Sequence, residues 1–187
     1  MINKTLAILA GGKSSRMNYK NKALLIYKEK TFIENIINSG EEFNEIIIIA
    51  NNEEDYESLN LKIYKDIYIG NGPLSGIHSA LKNAKNNKVL CIACDMPLIS
   101  KKTLNLIGNI EGDYEVLVPR INDKLQPMCA IYSKSLIPKI EKSLFNGENK
   151  LQKFILSTKY IILENNLSVK DFSNINTEKE YKLLEEI

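Results

Sequence analysis

Short runs of β-branched and other apolar residues, each of strand length, recur along this chain, and the stretches between them space their apolar residues for a helix. Strands are expected at Lys4 to Leu9, Glu45 to Ala50, Leu61 to Tyr64, Lys88 to Ala93, Glu115 to Val118, Lys124 to Tyr132 and Tyr160 to Leu163. Helices are expected over Thr31 to Ser39, apolar at 32, 33, 36 and 37, then over Pro73 to Ala84, Lys101 to Ile110, Ser133 to Phe145, Asn149 to Ser157 and Thr177 to Glu186. Pro73 suits a first helical position, Ser100 an N-cap, and Asn176 or Thr177 a cap for the closing helix. Strand and helix in alternation mean crossover connections. The expected fold is α/β, a mostly parallel central sheet with helices on both faces. In such sheets ligands lie outside the carboxyl ends of the strands. The chemistry is therefore expected in the loops 10–21, 51–53, 65–73 and 94–99.

A length of 187 residues suits one domain with a sizeable core, and no linker, internal repeat or low-complexity tract divides it. A net charge of +2 gives no global field that would favour nucleic acid or a membrane surface. The first apolar run, Thr5 to Ala10, is too short for a signal or a span, so the protein is expected in the cytoplasm. Cys91, Cys94 and Cys129 are odd in number and argue against a disulfide framework. Cys91 and Cys94 form a CxxC, yet no second ligand pair accompanies it, and two small residues on a buried strand is the simpler account. His78 reads as a helix histidine, and with one histidine in the chain no nucleophile–histidine arrangement is available.

The loop after the first strand reads LAGGKSSRMNYKNK. Its GKS resembles the end of a P-loop, but that motif needs a glycine five positions before Gly12, where Ala7 stands in mid-strand. No GxGxxG is present either. What remains is a long polar loop opened by Gly11 and Gly12, with Arg16 within it and Lys22 at its end. The glycines let backbone approach a ligand, successive N–H groups can cradle an anion, and the two cations can neutralise phosphate. Arg16 is one of two arginines in a chain that otherwise uses lysine, and only a guanidinium offers a planar fork. Taken by itself, this loop could equally be a solvated surface turn. Asp95, in CDMP at the tip of a buried strand, is placed as a Mg²⁺ ligand or a turn cap. Asp66 follows the third strand, and Gly70 to Gly76 leads into a helix N-terminus, a site for anionic or polar ligands. All these candidates fall on one edge of one sheet, which points to a Mg²⁺–nucleotide site.

LAGGKSSRM, NKALL, GPLSGIHSAL, ACDMPLI, QPMCAIY and FSNINTEKEY occur in the order found in the molybdenum cofactor guanylyltransferases, the MobA family, and the chain resembles that family from Leu6 to about Leu183. The resemblance implies a single-domain, Rossmann-like nucleotidyltransferase fold. It also implies transfer of GMP from Mg²⁺–GTP to the terminal phosphate of molybdenum-molybdopterin, with release of pyrophosphate. By the same resemblance, Leu9, Ala10 and Gly11 line the guanine and ribose, Gly12 and Arg16 approach the phosphates, and Lys22 binds them and stabilises the transition state. Asn51 and Asp66 contact the nucleotide, and Asp95 holds Mg²⁺. Gly72, Pro73 and Gly76 frame the acceptor, with Asn174 and Asn176 around the pterin. Transient contacts with cofactor-inserting proteins and molybdoenzymes are implied as well. This chain carries Asn18 where the family usually has glycine, and Asn21 where it has an aspartate that could orient Lys22. Three alternatives stay open: a cytidylyl or sugar-phosphate transferase, a nucleotide- or cofactor-binding module without catalysis, and a P-loop NTPase.

Overall fold

The computed structural model describes residues 1–11 and 21–185. Strand β1 is Ile2–Leu9. After it come a short hairpin, β2 (Ile26–Tyr27) and β3 (Lys30–Thr31), and helix α1 (Phe32–Ser39). β4 (Phe43–Ile49), β5 (Lys62–Tyr64), α2 (Pro73–Asn83), β6 (Lys88–Ala93) and α3 (Lys101–Gly108) follow in alternation. The second half holds β7 (Val116–Ile121), β8 (Lys124–Leu125), β9 (Cys129–Ser133), α4 (Ile137–Phe145), α5 (Leu151–Leu156), β10 (Tyr160–Leu163) and α6 (Glu178–Glu185). No helix among the described residues is long and apolar enough to cross a membrane.

The main sheet runs β10-β7-β9-β6-β1-β4-β5, with β8 paired to β7. Every strand on that path is parallel to its neighbour except β9, which runs against both β6 and β7. From β1 the chain moves outward to β4 and β5, then crosses back to place β6 on the other side of β1. Strand order therefore reverses between β1 and β6, where α/β sheets open their ligand crevice.

Period-two alternation assigns each strand's side chains to two cores. Leu6 and Ile8 of β1, Ile48 of β4, and Leu90 and Ile92 of β6 pack on one face against Ile33 and Ile36 of α1 and Leu104 and Ile107 of α3. Ala7 and Leu9, Ile47 and Ile49, and Val89 and Cys91 pack on the other against α2, α4 and α5. The caps are local. Thr31 and Glu34 close a capping box on α1, and the Ser100 hydroxyl accepts from Thr103 N at the start of α3.

Two expected elements come out differently. The strand expected over Lys124 to Tyr132 is two strands, because Pro127 cannot donate to a ladder and the chain turns between them, with Cys129 N bonded to Gln126 O at 3.1 Å. The helix expected from Ser133 begins at Ile137, after a 3₁₀ turn over Lys134–Leu136, with Pro138 in its first turn. The β2–β3 hairpin was not foreseen. Its turn residues Lys28 and Glu29 have φ of 50° and 66°, a conformation that sequence normally signals with Asn or Gly.

Gly40 ends α1 where a Cβ would overlap Leu6 Cδ2, on a side chain wholly buried in the sheet. Gly40→Ala is therefore expected to overpack this corner by ~1–3 kcal/mol. In thermal melts that is a fall of about 2–4 °C per kcal/mol for a chain of this size. An unchanged melting temperature would show that Leu6 can move aside at no cost.

Candidate active site

β1 and β6 pair in register, Leu9 beside Ala93, so the loops that leave them start side by side. Cys94 N donates to Leu9 O at 3.2 Å, and Ala10 N donates to Ile49 O at 2.8 Å, which fixes both strand ends. A cavity of about 400 Å³ opens there, large enough for a small-molecule ligand. Leu9, Ala10, Gly11, Lys22, Asp66, Gly72, Pro73, Gly76 and Asp95 all line it. α2 starts in its wall, and the positive end of the helix dipole bears on the space. Asn21 and Gly70, named in the sequence without a place in the cavity, also line it, as does Met128, which was not singled out. Met128 lies in the QPMCAIY stretch, so the motif was visible although the residue's place was not. Gly12, Arg16 and Asn18 lie outside the described residues.

Lys22 is the cation described at this cavity. Its Nζ donates to Asn176 Oδ1 at 2.7 Å and lies 3.8 Å from Asp95 Oδ2. The two charged side chains are only 16% and 19% exposed, so their attraction is screened less than that of a surface pair. Burial pushes the Asp95 carboxyl up, and the Lys22 ammonium acts against that rise. Burial likewise pushes up Asp66, opposed by a hydrogen bond from Asn51. Asp66 Oδ1 and Asp95 Oδ1 are buried with no hydrogen-bond partner. A buried carboxylate oxygen left over at the cavity suits a hard divalent cation. No group of three or more acidic, histidine or cysteine side chains that could hold a metal gathers among the described residues, and Asp66 and Asp95 follow β5 and β6, with β4 and β1 between them in the sheet. The neighbouring Cys94 thiol is pushed up to about 12 by burial and then by Asp95, so it stays neutral and adds no charge.

Gly11 faces Asp66 closely. A Cβ there would come 3.2 Å from Asp66 Oδ2 and 3.7 Å from Asn51 Nδ2. Asn51 does not line the cavity; its Oδ1 accepts from Asp66 N at 3.2 Å, behind the carboxylate. Asn174 is exposed, and Asn176 accepts from Lys22 Nζ. The Asn21 side chain does not bond the Lys22 ammonium, which is held by Asn176. The Asn21 amide turns to Asp55 and Tyr56.

The segment carrying Asn176 is itself tied down. Asp171, buried, accepts from Ser100 N at 3.1 Å and from the Ser100 hydroxyl, and Ile175 N donates to Asp95 O at 2.9 Å. Thr177 Oγ1 accepts from Glu180 N while Glu180 accepts from Thr177 N, a capping box that starts α6. Tyr181 then packs edge-on to Phe32 and donates to Ile26 O at 2.9 Å. The last part of the chain thus crosses the loop after β6 and meets the start of the β2–β3 hairpin.

Because burial holds the folded-state carboxyl of Asp66 above its unfolded value, folding takes up a proton there. The stability withheld at neutral pH is returned as the pH falls toward the ordinary value of 3.8. Asp66→Asn removes that penalty. Ligand-free Asp66→Asn protein is expected to melt above the parent at pH 7, with the gap closing by about pH 4. Equal melting at pH 7 would mean that burial of this carboxylate costs the fold nothing.

Residues 6–161 match the model of the MobA-like NTP transferase domain. A Clostridium perfringens protein described as a "probable molybdenum cofactor guanylyltransferase" is 52% identical over 97% of this chain and 96% of its own. A Carboxydothermus hydrogenoformans protein of the same description is 40% identical over 98% and 96%. The crystal structure of molybdopterin-guanine dinucleotide biosynthesis protein A from Archaeoglobus fulgidus superposes with a TM-score of 0.82 over 97% of each chain, at 22% identity, a likeness of fold. With a family match across most of its length, and with the switch-point cavity such a fold uses, the chain belongs to the MobA-like NTP transferase family.

Proposed function

We propose that this protein is a molybdenum cofactor guanylyltransferase. It transfers GMP from GTP to the terminal phosphate of molybdenum-molybdopterin, releasing pyrophosphate and forming the guanine dinucleotide cofactor. Family membership and the descriptions of its relatives support the reaction class and substrates. The observation that carries the site is the convergence of Lys22, Asp66 and Asp95 on one cavity at the point where strand order reverses.

In this reading the acceptor's phosphate oxygen attacks the α-phosphorus of GTP in line. The O–P bond to the acceptor forms as the bond to the β-phosphate oxygen breaks, and pyrophosphate leaves with that electron pair. The nucleophile is already anionic, so no side chain needs to remove a proton. The barrier is repulsion between anions and the build-up of charge, which positioning and fixed electrostatics lower. Lys22, held by Asn176 beside Asp95, presents its ammonium to the phosphates, with Arg16 and Gly12 assigned to the same group. Leu9, Ala10 and Gly11 pass the backbone close to the base and ribose, with Asp66 opposite and Asn51 fixing its loop. Gly72, Pro73, Gly76, Asn174 and Asn176 are assigned to the acceptor side. Asp95 would hold Mg²⁺, which supplies charge neutralisation and orientation of the phosphates when bound. The reading places the protein in the cytoplasm as one domain, handing product on through transient contacts with cofactor-inserting proteins and molybdoenzymes.

Lys22→Ala is expected to lower turnover by roughly 10²–10³, the effect of removing one charge-stabilising donor. Turnover within a few-fold of the parent would remove Lys22 from the mechanism. Asp95→Asn is expected to abolish Mg²⁺-dependent pyrophosphate release, and full activity at ordinary Mg²⁺ would refute its role as metal ligand. Of GTP, CTP, ATP and UTP, GTP is expected to bind most tightly. A preference for CTP would make the protein a cytidylyltransferase. GTP binding without pyrophosphate release in the presence of acceptor would make it a binding module.

A further inference from the structure

Asn21 immediately precedes Lys22, and its side chain is saturated. Its Oδ1 accepts from Ala23 N at 3.1 Å, capping the 3₁₀ turn Lys22–Leu24 that carries the lysine. Its Nδ2 lies 2.8 Å from Asp55 Oδ2 and 2.8 Å from the Tyr56 hydroxyl. A carboxylate accepts and cannot donate, so the Asp55 contact requires the amide nitrogen, and the Ala23 contact requires the amide oxygen. Each neighbour independently fixes the same orientation. Tyr56 is 1% exposed, and burial pushes its phenol up to about 12, so it remains a neutral partner. Through this set the turn bearing Lys22 is attached to residues 54–59, a 3₁₀ segment between β4 and β5.

We propose that Asn21, clamped by Asp55 and Tyr56, is a positioning residue for Lys22. The role rests on the reading of Lys22 as the phosphate-binding lysine. Lys22 is held from two sides: its ammonium by Asn176 at one end, its backbone turn by Asn21 at the other. The requirement at position 21 is complementarity to position 55. An aspartate at 21 could still accept from Ala23 N, but it would bring a second carboxylate within hydrogen-bond distance of Asp55 with no donor between them. The asparagine that looks like a lost carboxylate in the sequence is thus the residue that Asp55 demands. A donor at 55 would accommodate an acidic residue at 21.

A four-member cycle tests this: parent, Asn21→Asp, Asp55→Asn and the double variant, each checked for folding by thermal melting. The first readout is acetylation of the Lys22 amine by an N-hydroxysuccinimide ester in ligand-free protein, followed by peptide mass spectrometry. The second is kcat and KM for GTP with the molybdopterin acceptor. Asn21→Asp is expected to acetylate several-fold faster at Lys22 and to lose about tenfold in kcat, with a smaller change in KM, as a misplaced catalytic group does. Adding Asp55→Asn is expected to bring both back to within about twofold of the parent, the coupling of residues in contact. Parent-like labelling and kcat in Asn21→Asp, or a double variant no better than Asn21→Asp, overturns the proposal. If Asn21→Asp does not fold, Tyr56→Phe replaces it: faster Lys22 labelling supports the clamp and unchanged labelling overturns it. Labelling needs no nucleotide, so the expected labelling pattern in a protein that releases no pyrophosphate supports the clamp while sinking the proposed activity.

Discussion

The in-register parallel pairing of β1 with β6 is the constraint on which the rest depends. It places Leu9 beside Ala93, so the glycine that opens one loop and the aspartate that opens the other emerge at the same spot. Sliding β6 by one residue in that register would turn its core-facing side chains to the opposite face and shift Asp95 relative to Gly11. The two cores flanking the sheet prevent that slip, since Leu6, Ile8, Leu90 and Ile92 fill one and Ala7, Leu9, Val89 and Cys91 the other. The packing that holds the fold together also sets the geometry of the cavity.

A second tie closes the site from far along the chain. Asn176 stands 154 residues from Lys22, yet their side chains meet. The meeting depends on Asp171 fastened to Ser100, on Ile175 bonded to the backbone of Asp95, and on α6 packed through Tyr181 against Phe32. A residue that the proposed function assigns to the acceptor side therefore also holds the lysine it assigns to the phosphates. Meanwhile two buried carboxylate oxygens are left without partners on the cavity wall. Such groups oppose folding and are characteristic of sites that meet a charged ligand.

Much of this was legible in the sequence, for identifiable reasons. β6 and β10 have the expected bounds because β-branched runs end there against polar or turn-forming neighbours. The sheet edge that carries the site followed from the strand–helix alternation alone. Direction was not legible: the period of β9 says that it is a strand, and nothing in it says that it runs against β6. Nor was the hairpin at 26–31, whose turn uses Lys28 and Glu29 rather than Asn or Gly. Motif matching singled out Lys22 and Asp95, and both line the cavity, but it attached Asn21 to Lys22 by adjacency. The side-chain contact is instead with Asp55 and Tyr56, over 30 residues away, a distance that no local pattern spans.

The account stands or falls on the product. The direct measurement is mass analysis of the molybdopterin recovered after incubation with this protein, Mg²⁺ and GTP, with pyrophosphate assayed in the same sample. The predicted result is acceptor heavier by one GMP unit, with one pyrophosphate released for each. Unmodified acceptor, or guanosine diphosphate and free phosphate formed whether or not acceptor is present, would contradict it.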